Sequence, residues 1–207
     1  MLDVKFSPDG QYIAVTHGNQ VQVWKTPTYE REFAPFELHR TYTGHYDDVI
    51  SITWSPDSQY FLTTSKDMTA KMYSLHSLED FIPITLSGHR DTVIAAFFSS
   101  DQQTIYTVSK DGGMFIWKDP DSEEIKNNED LPEDMQQALK RTRMDIEASN
   151  RKRKYRRWWV TQREYFNQGK VQCATFHLQN NLLVVGFNSG IFGLYELPDF
   201  NNIHTLR

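Results

Sequence analysis

Short apolar runs alternate with polar turns along most of the chain, and the same phrase returns four times. The stretch VKFSPDGQYIAV at 4–15 recurs as ITWSPDSQYFLT at 52–63, as AFFSSDQQTIYT at 96–107 and, more weakly, as ATFHLQNNLLVV at 174–185. Each copy is an apolar, aromatic-rich run, a polar turn and a second apolar run, the pattern of two antiparallel strands joined by a hairpin. Pro8-Asp9-Gly10 and Pro56-Asp57-Ser58 supply the turns. Proline presets φ, and the residues after it tolerate the bend. A third apolar run follows each copy and closes on an aromatic: Trp24, Tyr73, Trp117 and Tyr195.

The spacing of those closing aromatics gives the architecture. Trp24 to Tyr73 is 49 residues and Tyr73 to Trp117 is 44, whereas Trp117 to Tyr195 is 78. A period of about 40–45 residues with four short strands per repeat is that of a propeller blade. The long third step then implies an insertion of roughly 35 residues within that period. The predicted fold class is all-β, a propeller with about four blades. Its predicted parts are blades one to three over 1–118, a charged and partly helical insertion over 119–156, and the rest of blade three plus blade four over 157–207.

Two of the repeats carry further shared residues. Gly44-His45 leads to Ser65-Lys66-Asp67 and Tyr73, and Gly88-His89 leads to Ser109-Lys110-Asp111 and Trp117. Asp67 to Tyr73 and Asp111 to Trp117 are both six residues. In these features the chain resembles the WD-repeat family. The resemblance implies a buried relay in each blade: Asp fixes the His ring, His meets the Ser hydroxyl, and Ser meets the Trp N–H. Each bond in such a relay stabilises by about 1 kcal/mol, and an orphaned member costs about 1–3 kcal/mol. Blade three holds the whole set, while Tyr73 replaces Trp in blade two. The first and last blades lack the His and Asp.

The same residues invite catalytic or metal readings. His45 with Asp47 and Asp48, or His89 with Asp91, has the composition of a metal or acid–base cluster. Their recurrence at equivalent blade positions is explained by a structural relay and not by a unique active site. Gly-x-Ser-x-Gly, His-Glu-x-x-His, Cys-x-x-Cys and a phosphate-cradling glycine loop are all missing. The expectation is a protein with no catalytic residue, no cofactor, no metal and no small-molecule substrate. Gly112-Gly113 is predicted to serve a turn that needs positive φ, and the single cysteine, Cys173, to be a small buried hydrophobe on a strand.

Charge and composition then narrow the setting. The net charge of −5 lacks the basic surplus of a dedicated nucleic-acid domain. One cysteine, no secretory leader pattern and no apolar run near the roughly 18–20 residues of a membrane span point to a reducing compartment. The insertion is where composition breaks. Residues 119–134 hold eight acids against Lys126 alone, too polar to order a core. From 133 the pattern becomes helix-compatible, with Met135, Leu139, Thr142 and Ile146 in an a/d-like rhythm. It ends in Arg151, Lys152, Arg153, Lys154, Tyr155, Arg156 and Arg157, six cations in seven residues. Three readings of that run stay open: a solvated helix end, a nuclear-import signal, or an RNA-phosphate contact with Tyr155 available for stacking.

Within the family, several runs resemble the tandem double propellers of small-subunit ribosome assembly. They are 31–36 (REFAPF), 64–68 (TSKDM), 96–98 (AFF), 108–112 (VSKDG) and 189–200 (SGIFGLYELPDF). An acid-rich insertion between the last two blades is a further shared feature. The resemblance implies a nuclear, nucleolar scaffold of the small-subunit processome. Its partners would be other WD-repeat assembly proteins, a small nucleolar RNA and pre-ribosomal RNA, with no membrane involved. The alternative is a general WD-repeat adaptor, such as a ubiquitin-ligase substrate receptor or a trafficking scaffold. Since such propellers more often have seven blades, the chain also reads as a fragment or truncated product, with open sheet edges that would seek other strands.

Any RNA contact made by the basic run should be electrostatic. Neutralising six single-strand phosphates gives a salt slope of about −0.7 each, roughly −4 in all. Replacing Arg151, Lys152, Arg153, Lys154, Arg156 and Arg157 with Gln should flatten that slope for single-stranded RNAs of any sequence and leave melting unchanged. A slope indifferent to the six replacements would exclude the run as the RNA site.

Overall fold

The structure is a computed structural model that describes residues 2–27, 36–76, 83–118 and 158–207. The insertion expected at 119–156 and the basic run at 151–157 lie outside the described residues. Those residues form four antiparallel four-stranded sheets and no helix. The first sheet is β1 (Val4–Phe6), β2 (Tyr12–His17), β3 (Gln20–Lys25) and β4 (Glu37–Tyr42). The second is β5 (Val49–Trp54), β6 (Tyr60–Ser65), β7 (Thr69–Ser74) and β8 (Ile84–Ser87). The third is β9 (Val93–Phe98), β10 (Thr104–Ser109), β11 (Gly113–Lys118) and β12 (Trp159–Tyr165). The fourth is β13 (Val171–His177), β14 (Leu182–Phe187), β15 (Phe192–Glu196) and β16 (Asn201–Leu206).

Within each sheet the strands lie in chain order, so every blade is an up-and-down meander. The first strands of all four sheets meet around one cavity of about 480 Å³, lined among others by Lys5, Ile52, Ala95 and Thr175. Inner strands converging on one axis are the mark of a β-propeller. Four blades of one are present.

The first hairpin of each of three blades is locked by the same local clasp. Ser7 Oγ donates to Asp9 Oδ1 at 2.5 Å, Ser55 Oγ to Asp57 Oδ1 at 2.5 Å, and Ser99 Oγ to Asp101 Oδ1. Each serine oxygen also receives the backbone N–H that opens the next strand: Tyr12 at 3.0 Å, Tyr60 at 2.9 Å and Thr104 at 3.0 Å. Side-chain oxygens thereby satisfy the backbone donors that a tight turn leaves unpaired. The turn residues Gly10, Ser58 and Gln102 all sit at positive φ.

Packing between blades explains why some strands alternate and others do not. Blade one packs Ala14, Val21, Val23 and Tyr42 against Val49, Ile52, Trp54 and Phe61 of blade two. Blade two's Leu62, Met72 and Leu86 meet Val93, Ile105, Phe115 and Trp117 of blade three. Blade three's Tyr106, Val108, Met114 and Ile116 meet Leu183, Val185 and Phe187 of blade four. The middle strands β6 and β10 are therefore covered on both faces and are buried from their second residue onward. In β2 and β14 buried positions alternate with partly exposed ones, because one face lacks a neighbour.

Two expectations change here. Cys173 lies on β13 as expected but is exposed, not buried. Cys173 pairs with Gly186 and Gly186 with Phe192, on the face opposite Leu183, Val185 and Phe187, which pack against blade three. Gly112 has φ +94, whereas Gly113 has no positive φ. Gly113 is needed for space, since a Cβ there would sit 3.0 Å from Ser109 Oγ and 3.3 Å from Asp111 Oδ1.

Candidate functional site

The residues singled out by the sequence cluster in the blade-to-blade connections and second turns of blades two and three. In blade two His45 Nδ1 lies 2.8 Å from Asp67 Oδ2, and its Nε2 lies 2.7 Å from Thr63 Oγ1. A carboxylate accepts, so Nδ1 carries the proton and the Thr63 hydroxyl donates to Nε2. Asp67 Oδ2 also receives the Tyr46 N–H at 3.0 Å, and Oδ1 receives the Thr69 N–H and hydroxyl. Burial opposes the charge on Asp67. The hydrogen bonds from Thr69, Tyr46 and His45 outweigh it and hold the carboxyl below its ordinary range. Burial pushes the His45 pKa down although Asp67 pulls the other way.

In blade three His89 Nε2 meets Thr107 Oγ1 at 2.7 Å, and Trp117 Nε1 donates to the same oxygen at 2.8 Å. The His89 ring stacks on Phe115 with centroids 4.0 Å apart, and Arg163 lies 5.2 Å from the Phe115 centroid. Asp111 does not hydrogen-bond to His89. Its Oδ1 takes the Ser109 hydroxyl and the Gly113 N–H instead. Desolvation lowers the His89 pKa to about 4, opposed by the field of Asp111 and assisted by Arg163.

The relays thus differ from the expected ones in two respects. The hydroxyl that meets each histidine belongs to Thr63 or Thr107, not to Ser65 or Ser109. Ser65 Oγ donates to the Asp47 carbonyl at 3.0 Å and receives the Asp67 N–H at 3.1 Å, so both serines brace the turn. Blade three is not the complete set, because its Asp–His link is missing. Blade two keeps that link, while Tyr73 sends its hydroxyl to the Thr43 carbonyl at 3.1 Å. Strand geometry explains the threonines. Ser109 stands opposite Gly113 and bonds its carbonyl, which leaves Trp117 four residues further up β11, about 13 Å away at roughly 3.3 Å per residue. Thr107, opposite Phe115, is one diagonal step from Trp117.

The outer two blades fill the equivalent space differently. In blade four Phe166, Phe187, Tyr195 and Phe200 form an aromatic cluster with centroids 4.9 to 5.8 Å apart. Tyr195 packs so close over Gly193 that a Cβ there would meet its ring at 2.6 Å. In blade one Val15 stands where blade two has Thr63, so Trp24 has no hydroxyl at that position. Among the described residues no group of three or more His, Cys, Asp or Glu is placed to hold a metal, and no helix is long and apolar enough to cross a membrane.

The repeated Gly-His loop, the strand hydroxyl and the closing Trp or Tyr are now fixed in space, and they agree with comparison to known sequences. A family profile described as WD domain, G-beta repeat, matches residues 1–25, 36–74 and 82–118. The chain belongs to the WD40-repeat family. It is 49% identical over 206 residues to Periodic tryptophan protein 2 homolog of Schizosaccharomyces pombe, covering 98% of this chain and 22% of that protein. It is 47% identical over 208 residues to Periodic tryptophan protein 2 of Saccharomyces cerevisiae, with 98% and 21% covered. The Mus musculus homolog is 35% identical over 225 residues. The chain therefore spans about a fifth of the length of the two yeast relatives it matches. In blades two and three these hydrogen bonds and stacks brace the second turn and the loop that precedes the blade, with His45 and His89 buried.

Thr107→Val removes the oxygen shared by His89 and Trp117 and should destabilise the chain by about 2–4 kcal/mol, more than Ser109→Ala, as read from denaturant midpoints. Equal losses would return the relay to the serine. The His89 pKa also sets a pH dependence. Folded His89 titrates at about 4, while an unfolded histidine titrates near 6.5. Between those values the unfolded chain binds a proton that the folded chain refuses. Stability present above pH 6.5 is therefore lost as pH falls toward 4, by up to about 3 kcal/mol. His89→Gln should flatten this part of the stability–pH curve. An unchanged curve would place the acid sensitivity elsewhere.

Proposed function

We propose that the chain is part of a non-catalytic scaffold in small-subunit ribosome biogenesis, acting in the nucleus and nucleolus. It works by presenting rigid blade surfaces to other WD-repeat assembly proteins, with small nucleolar RNA and pre-ribosomal RNA bound within the same assembly. What carries this reading is likeness along 98% of the chain to the periodic tryptophan protein 2 relatives, joined to the resemblance of runs such as 189–200 to ribosome-assembly double propellers. The chemistry of the blades supports the non-catalytic part. His45, Asp67, His89 and Asp111 are held in hydrogen bonds or stacks that fix loops, and a group so engaged is a poor general acid, base or ligand. The basic residues 151–157 would add an electrostatic RNA contact or an import signal.

Depleting the protein from its host cell should raise unprocessed small-subunit precursor RNA several-fold over the mature form, measured by hybridisation with precursor-specific probes. Immunoprecipitation of the tagged protein should recover small nucleolar RNA. Normal precursor processing, with a ubiquitin ligase or trafficking complex as the stable companion, would overturn the ribosomal reading in favour of a general adaptor.

A further inference from the structure

The loops that the blade-two relay holds still present an unusual pair of side chains. Tyr46 follows His45 and is 92% exposed, although its own N–H is pinned to Asp67 Oδ2 at 3.0 Å. Met68 follows Asp67 on the facing turn and is 45% exposed. The Asp67 carboxylate therefore ties both residues to one point. An exposed aromatic ring and an exposed thioether, each one residue from the relay, have little backbone freedom left to lose on binding.

Met68 also occupies a backbone position that disfavours it. Its φ is +64, and the equivalent third residue of the turn is Gly112 at +94 in blade three and Gly190 at +79 in blade four. At Gly190 a Cβ would meet nothing within 4 Å, so glycine there answers to the left-handed backbone alone. Glycine adopts that backbone freely, and an unbranched side chain does so at some expense in stability. Blade two keeps a side chain where its neighbours dispense with one, and that side chain points to contact outside the fold.

The charges around the pair select the partner. Lys66, on the same turn, is already neutralised by Asp48 at 2.8 Å. Asp47 follows Tyr46 and makes no ion pair among the described residues, and Asp67 lies beneath. The immediate field is negative, which repels phosphate and draws cations. We propose that Tyr46 and Met68 form a docking site for a protein segment that presents an apolar or aromatic side chain beside a lysine or arginine. The apolar group packs between the Tyr46 ring and the Met68 thioether, and the cation faces Asp47. The site does not depend on which assembly the chain serves.

The test pans the full 207-residue chain against random short peptides displayed on phage, with a single-stranded uridine oligomer as the competing class of ligand. The expected result is enrichment of peptides with an apolar residue next to Lys or Arg. Their affinity should fall about tenfold or more in Tyr46→Ala and in Met68→Gly, as for loss of a binding hot spot. Melting should not fall in Met68→Gly, because glycine suits the turn; that separates lost contact from lost folding. Changing the peptide's basic residue to Glu should abolish binding. The proposal is overturned by any of three results: no enrichment beyond that of the Tyr46→Ala, Met68→Gly double variant; enriched peptides with no basic residue; or uridine binding that depends on Tyr46, which would give the patch to RNA.

Discussion

Every blade here is a small sheet that must cover two apolar faces, and the whole structure depends on how neighbours supply that cover. A sheet of four short strands is too thin to build a core within itself. It becomes stable by laying one face on the blade before it and the other on the blade after. Phe61 and Leu62 on β6 show both halves of this: adjacent in sequence, they point to opposite faces and enter different cores, one shared with blade one and one with blade three. Stability is thus distributed along the arc through nearest-neighbour interfaces, as in other repeat proteins.

The hydrogen-bonded relays make sense as the polar counterpart of that packing. At the rim of each interface the backbone leaves one sheet and enters the next, and loop donors and acceptors would otherwise be buried unpaired. In blade two a carboxylate gathers His45, Tyr46 and Thr69 around a single turn. In blade three a threonine hydroxyl joins a histidine to an indole, and stacking on Phe115 takes over the positioning that Asp111 does not provide. In blade four an aromatic cluster takes the place of the histidine relay, beside the Ser189 hydroxyl donated to the Gln168 carbonyl. Three chemical solutions hold the same loop, so the loop's position is the constraint and the residues are means to it. Because the loops are rigid, side chains that leave them toward solvent are presented at fixed places.

Much of this was legible in the sequence, for reasons tied to local chemistry. The four-fold return of one strand–turn–strand phrase, the positions of the turns and the closing aromatics determined the blade count, the first hairpin of each blade and where its third strand closes. These follow from a period of two along strands and from Pro, Asp and Gly at bends, which act within a few residues. The Gly-His loops and the Asp turns were likewise readable. β12, an apolar aromatic run, completes blade three by pairing with the open edge of β11.

Only the tertiary structure decided which hydroxyl completes each relay, which link each relay lacks, and which strand faces are covered. Thr107 and Ser109 lie on the same side of one strand, so alternation cannot separate them; the cross-strand diagonal to Trp117 does. Asp111 had two partners within reach, His89 and its own turn, and the turn won because Gly113 brings the N–H and the Ser109 hydroxyl to one carboxylate oxygen. Cys173 sits in an apolar strand, yet its exposure depends on whether another sheet stands opposite that face. Each of these outcomes rests on distances between residues far apart in the chain or across a strand pair. Sequence patterns fix the direction in which a side chain leaves the backbone, but what meets it there is set by packing.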